Sequence, residues 1–233
     1  MPVKAVFLDI DNTLLDFDEY VRDAMRTGFP LFHIGSYEPA MFSVFNATNA
    51  VLWKQIEDGE LTMEGLRAVR WNLIFQKLGL SYDGPTFERW FRERLFVSAI
   101  PVQGAMELLK SLNGSYRIFA ASNGPLAQQL NRLKLAGMLP FFEQVFVSEA
   151  LGVSKPDPAF FQQCLYKVNG NAQIPVKANE CVMVGDSLRS DVSGALKAGM
   201  KAFRFLYPGT LTQKESDADI LRLADLPALL RML

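Results

Sequence analysis

Histidine is nearly missing from this chain, with His33 the sole example, and cysteine occurs only at positions 164 and 181. One histidine and two widely separated thiols give no zinc-type ligand spacing and no disulfide framework. Cys164 and Cys181 are expected to be buried free thiols, a usage that suits a reducing compartment. An excess of one charge is lacking as well. The 24 Lys and Arg against 25 Asp and Glu leave a formal net charge of -1, so no electrostatic footprint for polymeric nucleic acid stands out. No apolar run approaches the length of a membrane span. The apolar stretch at the N-terminus runs into Asp9 before it reaches the length of a signal-peptide core. No repeat or low-complexity segment interrupts the chain. A soluble cytoplasmic protein with no membrane partner is the expectation.

What the sequence does hold is material for a core. Hydrophobic residues make up 49% of 233 positions, enough for one large domain or for a core domain carrying a smaller insert. The stretch Val3-Lys4-Ala5-Val6-Phe7-Leu8-Asp9-Ile10-Asp11-Asn12-Thr13 organises the rest. A β-branched and aromatic run ends abruptly in two carboxylates, which marks a buried strand with a polar C-terminal tip. At i and i+2 of an extended chain, Asp9 and Asp11 start on one side. Two like charges that close repel unless a cation lies between them or one holds a proton. A solvated turn after a strand uses the same residue types.

From about 17 to 98 the pattern turns helical, with helices over Tyr20–Phe29, Pro39–Asp58, Leu61–Leu78 (Thr62 as N-cap, Gly79 as stop) and Thr86–Val97. All three tryptophans, Trp53, Trp71 and Trp90, fall in this stretch. Strands and helices then alternate: a helix over Ala105–Leu112, a strand over Tyr116–Ala121, and a helix from Pro125 to Leu135. A short strand over Val145–Val147 and a helix over Ala159–Val168, with Asp157 as N-cap, come next. Strand Cys181–Val184, helix Leu188–Ala198, strand Ala202–Leu206 and a closing helix Leu221–Leu230 complete the chain. Such alternation indicates an α/β fold, a Rossmann-like three-layer parallel sheet covered on both faces. The first strand must belong to that sheet. Residues 1–16 and 99–233 therefore form the core domain, and residues 17–98 are an inserted all-helical cap. In open parallel sheets ligands bind beyond the C-terminal strand edges, so the insert emerges over the site as a lid.

Four groups fall at that edge. Ser122-Asn123-Gly124 follows the second strand, and a hydroxyl with backbone N–H groups at a helix start is a ready anion site. Lys155, followed by Pro156-Asp157-Pro158, places a cation on a stiff segment. Gly185-Asp186-Ser187 ends the fourth strand, with Asp191 one turn into the next helix. Each group alone also reads as an ordinary turn, cap or surface residue, but four such accidents at one edge make a poor explanation. Asp9, Asp11 and Asp186 offer hard oxygen ligands suited to Mg²⁺, and Ser122 and Lys155 offer donors for the remaining negative charge.

These residues resemble the haloacid dehalogenase-like hydrolase superfamily. Its motifs stand here as Asp9-Ile10-Asp11-Asn12-Thr13, Ser122-Asn123, Lys155, and Gly185-Asp186-Ser187 with Asp191, in the family's order. The resemblance covers the first 15 residues and everything after about 100. It implies phosphate ester hydrolysis through an aspartyl-phosphate on Asp9, with Asp11 as acid and then base. It further implies Mg²⁺ held by Asp9, the backbone carbonyl of Asp11 and Asp186, while Asp191 orients a bound water or Lys155. Ser122, the N–H of Asn123 and Lys155 are implied to grip the transferring oxygens. Dehalogenase members lack an acid at the position of Asp11, so its presence favours a phosphate ester over a carbon–halogen bond.

In the insert, Leu14-Leu15-Asp16-Phe17-Asp18 and Leu52-Trp53 through Gly59-Glu60-Leu61-Thr62 look like the pyrimidine 5′-nucleotidase branch. A nucleoside 5′-monophosphate is then the implied substrate, with cap aromatics such as Phe17 near the base. Phe17 and Trp53 also read as cap core. A phosphoglycolate or sugar-phosphate phosphatase, a phosphomutase of the same fold, and a phosphate-binding module without turnover stay open. Arg22 and Arg26 lie on the first cap helix, where a solvated face is the simpler reading, and His33 is assigned no role.

Overall fold

The computed structural model describes residues 2–170, 175–207 and 218–233. Its chain divides into two compact units, Met1–Asp16 with Ala99–Leu233, and Phe17–Ser98.

In the first unit, six strands among the described residues form one sheet in the order β3-β2-β1-β4-β5-β6. They are β1 (Ala5–Leu8), β2 (Arg117–Ser122), β3 (Gln144–Val147), β4 (Cys181–Gly185), β5 (Lys201–Phe205) and β6 (Asp219–Ile220), and every pairing is parallel. β1 lies in the middle and is wholly buried because its residues are apolar on both faces. Val6 and Leu8 join Ile118, Ala120, Val182 and Val184 in one core layer. Ala5 and Phe7 point the other way, with Phe119, Ala121, Phe146, Cys181 and Met183. Phe7 stacks on Phe119 with ring centroids 4.9 Å apart. The chain leaves β1 toward β2 on one side and returns to β4 on the other. The crevice beyond the tips of β1 and β4 is therefore the topological switch point, where open α/β sheets bind ligands.

The second unit holds α1 (Phe17–Leu31), α2 (Pro39–Glu57), α3 (Met63–Leu78) and α4 (Gly84–Phe96). Thr62 caps α3 by accepting from Gly65 N at 3.0 Å, and Gly79 ends it in the left-handed conformation. Trp71 is fully buried among Phe29, Phe45, Phe75, Phe87 and Phe91. Beside this cluster, Arg70 donates to both Glu88 oxygens at 3.0 and 2.7 Å. Burial raises the Glu88 carboxyl above its ordinary value despite that pairing, so the pair fixes α3 against α4 more than it adds net stability.

The remaining helices cover the sheet: α5 (Ala105–Leu112), α6 (Leu126–Leu135), α7 (Ser148–Leu151), α8 (Pro158–Asn169), α9 (Gly194–Lys197) and α10 (Leu226–Arg231). Three sequence expectations shift. α1 runs past Gly28 and Pro30 because Met25 and Phe29 stay buried along its inner face. Residues Leu188–Ser193 form a π-helical turn rather than the start of one regular helix. The expected closing helix over Leu221–Leu230 is a 3₁₀ turn over Leu223–Asp225 and then α10. Pro227 is the reason, since proline is favoured at a helix start and not in its interior. No helix among the described residues is long and apolar enough to cross a membrane.

Two outcomes follow from this packing. Cys164 and Cys181 are free and buried, and burial pushes the Cys181 thiol up to about 12 and raises that of Cys164 as well. A thiol-exchange reagent is expected to label neither in the native protein and both in denaturant; rapid native labelling would contradict the described core. Replacing Arg70 with Met leaves Glu88 buried and alone, and is expected to cost about 3–5 kcal/mol in denaturant unfolding. Replacing Glu88 with Met as well should recover much of that loss.

Candidate active site

The site grows from the tips of β1, β2 and β4. Asp9 N donates to Val184 O at 2.9 Å, which carries the β1–β4 pairing one residue beyond the strand and sets the Asp9 carboxylate beside the tip of β4. There Asp9, Asp186 and Asp191 each bring a carboxylate oxygen to within 4.8 Å of the others. Asp191 reaches this point through the π-helical turn. Its backbone N–H donates to Ser187 O, and its Oδ2 accepts from Ser187 N at 3.0 Å. Gly185 makes room, because a Cβ there would lie 2.2 Å from Asp191 Oδ2.

Lys155 closes the group. Its buried ammonium donates to Asp9 Oδ1 at 2.6 Å, to Asp191 Oδ1 at 2.6 Å and to the Ala121 carbonyl at 2.7 Å. An ammonium has three hydrogens, so all of them go to protein acceptors. Burial alone would lower the Lys155 pKa, but Asp191 and Asp9 together raise it above the ordinary lysine value. Burial raises the Asp9 carboxyl to about 7, against the pull of Lys155 and with a further push from Asp191. Burial opposes the charge on Asp9.

A divalent cation fits this cradle. Three hard carboxylate oxygens converge, and a single ammonium answers two of the carboxylates. Such a donor set suits Mg²⁺, which takes carboxylates together with water and phosphate oxygens. A cation there would also offset the desolvation of Asp9.

The sequence-predicted residues meet, though not always in the expected roles. Asp9, Asp186 and Asp191 share one point, and Asp191 holds Lys155. The three hydrogens of Lys155 go to Asp9, Asp191 and Ala121. Asn123 was singled out for its backbone N–H. Its side chain does separate work, donating from Nδ2 to Lys155 O at 2.9 Å and accepting from Lys155 N at 3.0 Å. Ser122 is buried at the end of β2. The Asp11 carboxylate lies outside the triad and is held by α6, with Arg132 Nη1 at 2.5 Å and Gln129 Nε2 at 2.7 Å.

Gln129 and Arg132 were not legible as site residues. Their signal is a pair of long polar side chains at i and i+3 on the helix that follows Ser122-Asn123-Gly124, both nearly inaccessible. In the helical unit, Phe17 packs against Tyr20, Phe45 and Phe91, while Trp53 is half-buried. Arg22 is not simply solvated, since its guanidinium lies 3.9 Å from the Phe42 ring centroid. Arg26 pairs with Glu19 and Asp23. His33 takes a positive φ of 55° just after α1.

A parallel sheet with a buried aspartate at the tip of its central strand, a lysine bonded to it and further aspartates one strand away matches the order of the four motifs. The chain belongs to the haloacid dehalogenase-like hydrolases, whose family model matches residues 3–199. It is 31% identical over 198 residues to pyrimidine 5′-nucleotidase PynA of Streptococcus pneumoniae, covering 84% of this chain and 81% of that protein. It is 27% identical over 195 residues to pyrimidine 5′-nucleotidase YjjG of Escherichia coli, covering 84% and 82%. A crystal structure of the HAD-hydrolase YfnB of Bacillus subtilis, bound to magnesium, superposes with a TM-score of 0.85 at 26% identity and covers 99% of both chains.

Replacing Lys155 with Met leaves Asp9 and Asp191 buried without their shared cation. That change is expected to lower stability by about 3–5 kcal/mol in urea unfolding. Asp191→Asn, which removes one charge and keeps the shape, should cost less; an unchanged unfolding midpoint for Lys155→Met would contradict the network.

Proposed function

We propose that the protein is a Mg²⁺-dependent phosphate monoester hydrolase, and within that class a nucleoside 5′-monophosphatase. One observation carries the first part. The attacking carboxylate of Asp9 and the carboxylates of Asp186 and Asp191 converge on a single cation-sized point, with a second acid, Asp11, two residues from the nucleophile. Cleaving a phosphate ester calls for a cation to take up phosphate charge and an acid to protonate the departing alkoxide. A departing halide calls for neither.

Bound magnesium, held by Asp9 and Asp186 with Asp191 beside them and completed by the Asp11 carbonyl, would supply positive charge against the phosphate oxygens. Lys155 fixes the rotation of the Asp9 carboxylate, so that one oxygen is presented to phosphorus. Asp9 attacks, the bond from phosphorus to the ester oxygen breaks, and Asp11 gives its proton to that oxygen as the alcohol leaves. The phosphoryl group then sits on Asp9. Asp11, now a base, takes a proton from water as the water oxygen attacks phosphorus. The Asp9–phosphorus bond breaks, and orthophosphate and the starting protonation states result. Ser122 and the N–H of Asn123 serve the phosphoryl oxygens, and Lys155 acts on them through Asp9.

The narrower reading rests on likeness to PynA and YjjG and on the aromatic character of the helical unit. That unit is spliced into the chain directly after the turn bearing Asp11, and we assign to it the role of a cap that chooses the ester.

A phosphate-release panel tests both parts. With Mg²⁺ present, UMP, dUMP and dTMP are expected to be hydrolysed faster than phosphoglycolate or sugar phosphates, and chelation should abolish release. Asp9→Asn should lower kcat on the order of 10³-fold or more. Faster turnover of phosphoglycolate or a sugar phosphate would remove the nucleotidase reading. Binding of esters without any phosphate release would remove the phosphatase reading altogether.

A further inference from the structure

We infer that Gln129 and Arg132 are positioning residues: together they aim the acid/base Asp11 and fix the Ser122 hydroxyl as a donor toward phosphate. The inference rests on the phosphatase reading above and names residues that reading does not use.

Gln129 and Arg132 stand one turn apart on α6 and are 0% and 1% exposed. Burying a primary amide and a guanidinium on a helix is costly unless every polar atom finds a partner. Here the partners are the site itself. Gln129 Nε2 donates one hydrogen to Asp11 Oδ2 at 2.7 Å and the other to Ser122 Oγ at 2.9 Å. Gln129 Oε1 accepts from Arg132 Nη1 at 3.1 Å, and the same nitrogen donates to Asp11 Oδ1 at 2.5 Å. The amide orientation is dictated by this closed circuit, because turning it over would set its oxygen against the Asp11 carboxylate and its NH₂ against the guanidinium.

Two consequences follow. First, both Asp11 oxygens are tethered, so the rotation of this carboxylate is set by α6, while each oxygen keeps a second lone pair on which a proton can be carried. Secondly, Ser122 Oγ accepts from Gln129 Nε2 and from Gly124 N at 3.0 Å. Both of its lone pairs are then taken by donors, so what the hydroxyl has to offer an incoming oxygen is its hydrogen. That polarity is the one a phosphate requires. Gly124 belongs to the same device, since a Cβ there would lie 2.4 Å from Gln129 Nε2.

The test exploits leaving groups. An acidic phenol leaves phosphorus with little help, whereas an alkoxide needs a well-aimed proton. The kcat/KM of the best alkyl ester from the panel, which reports only the steps up to departure of the alcohol, is divided by that of 4-nitrophenyl phosphate, for the unaltered protein and for Gln129→Leu, Gln129→Glu and Arg132→Met, with thermal melting followed throughout. The ratio is expected to fall about tenfold or more in each variant. Gln129→Glu keeps the volume, loses both N–H donors and sets a second carboxylate against Asp11, so its ratio should fall at least as far as that of the Leu variant. Arg132→Lys, which restores a cation, should recover part of the ratio relative to Arg132→Met. Loss of general stability would slow both esters alike. An equal loss of kcat/KM on the two esters, or no loss, therefore overturns the aiming of Asp11 while leaving the phosphatase reading in place. Absence of turnover of either ester by the unaltered protein would instead remove the phosphatase reading.

Discussion

The ammonium of Lys155 is the tie on which the site depends. One nitrogen, 2% exposed with the rest of its residue, joins Asp9 at the end of β1, the carboxylate of Asp191 beyond β4 and the Ala121 carbonyl of β2. Segments more than 140 positions apart in the chain are thus held within hydrogen-bond reach of one atom. Two buried carboxylates so near each other would repel strongly without it. Asn123 then fixes the backbone of Lys155 from both sides. The strand tips are therefore bound to one another by polar contacts as well as by the sheet beneath them.

That arrangement needs the sheet order. Placing β1 between β2 and β4 brings three strand ends to one crevice, and the alternating apolar faces of β1 leave no choice of register without burying Lys4 or Asp9 in a core layer. The apolar layers set the positions of the strands, and the polar tips inherit those positions. Function at this edge is in that sense a by-product of packing beneath it, refined by Gly185 and Gly124 where side chains must pass close to the backbone.

Much of this could be seen in the sequence, because strand tips advertise themselves. A run such as Ala5–Leu8 followed by Asp9 is an abrupt change from apolar to polar, and the same kind of change occurs at Ala121-Ser122 and Gly185-Asp186. The strand–helix alternation was legible for the same reason, periodicity being a local property. What stayed hidden depends on distant partners. Gln129 and Arg132 look like ordinary residues of an exposed helix until α6 is laid beside Asp11. The contact of Lys155 with Ala121 O is likewise invisible in the sequence around position 155. β6 has only two residues, and Asp219 is buried there because Arg204 of β5 meets it at 2.9 Å. The π-helical turn owes its form to Asp191 reaching back to Ser187, again a contact that no local pattern records.

The central claim is that Asp9 receives the phosphoryl group. An acyl phosphate is reduced by borohydride to the alcohol, so acid quenching during turnover, followed by borohydride and peptide mass spectrometry, converts a phosphorylated aspartate to homoserine. The account predicts homoserine at position 9 when substrate and Mg²⁺ are both present, and unaltered aspartate at 11, 186 and 191. Continued phosphate release with aspartate intact at position 9 across the steady state, or with homoserine at one of the other three positions, would contradict it.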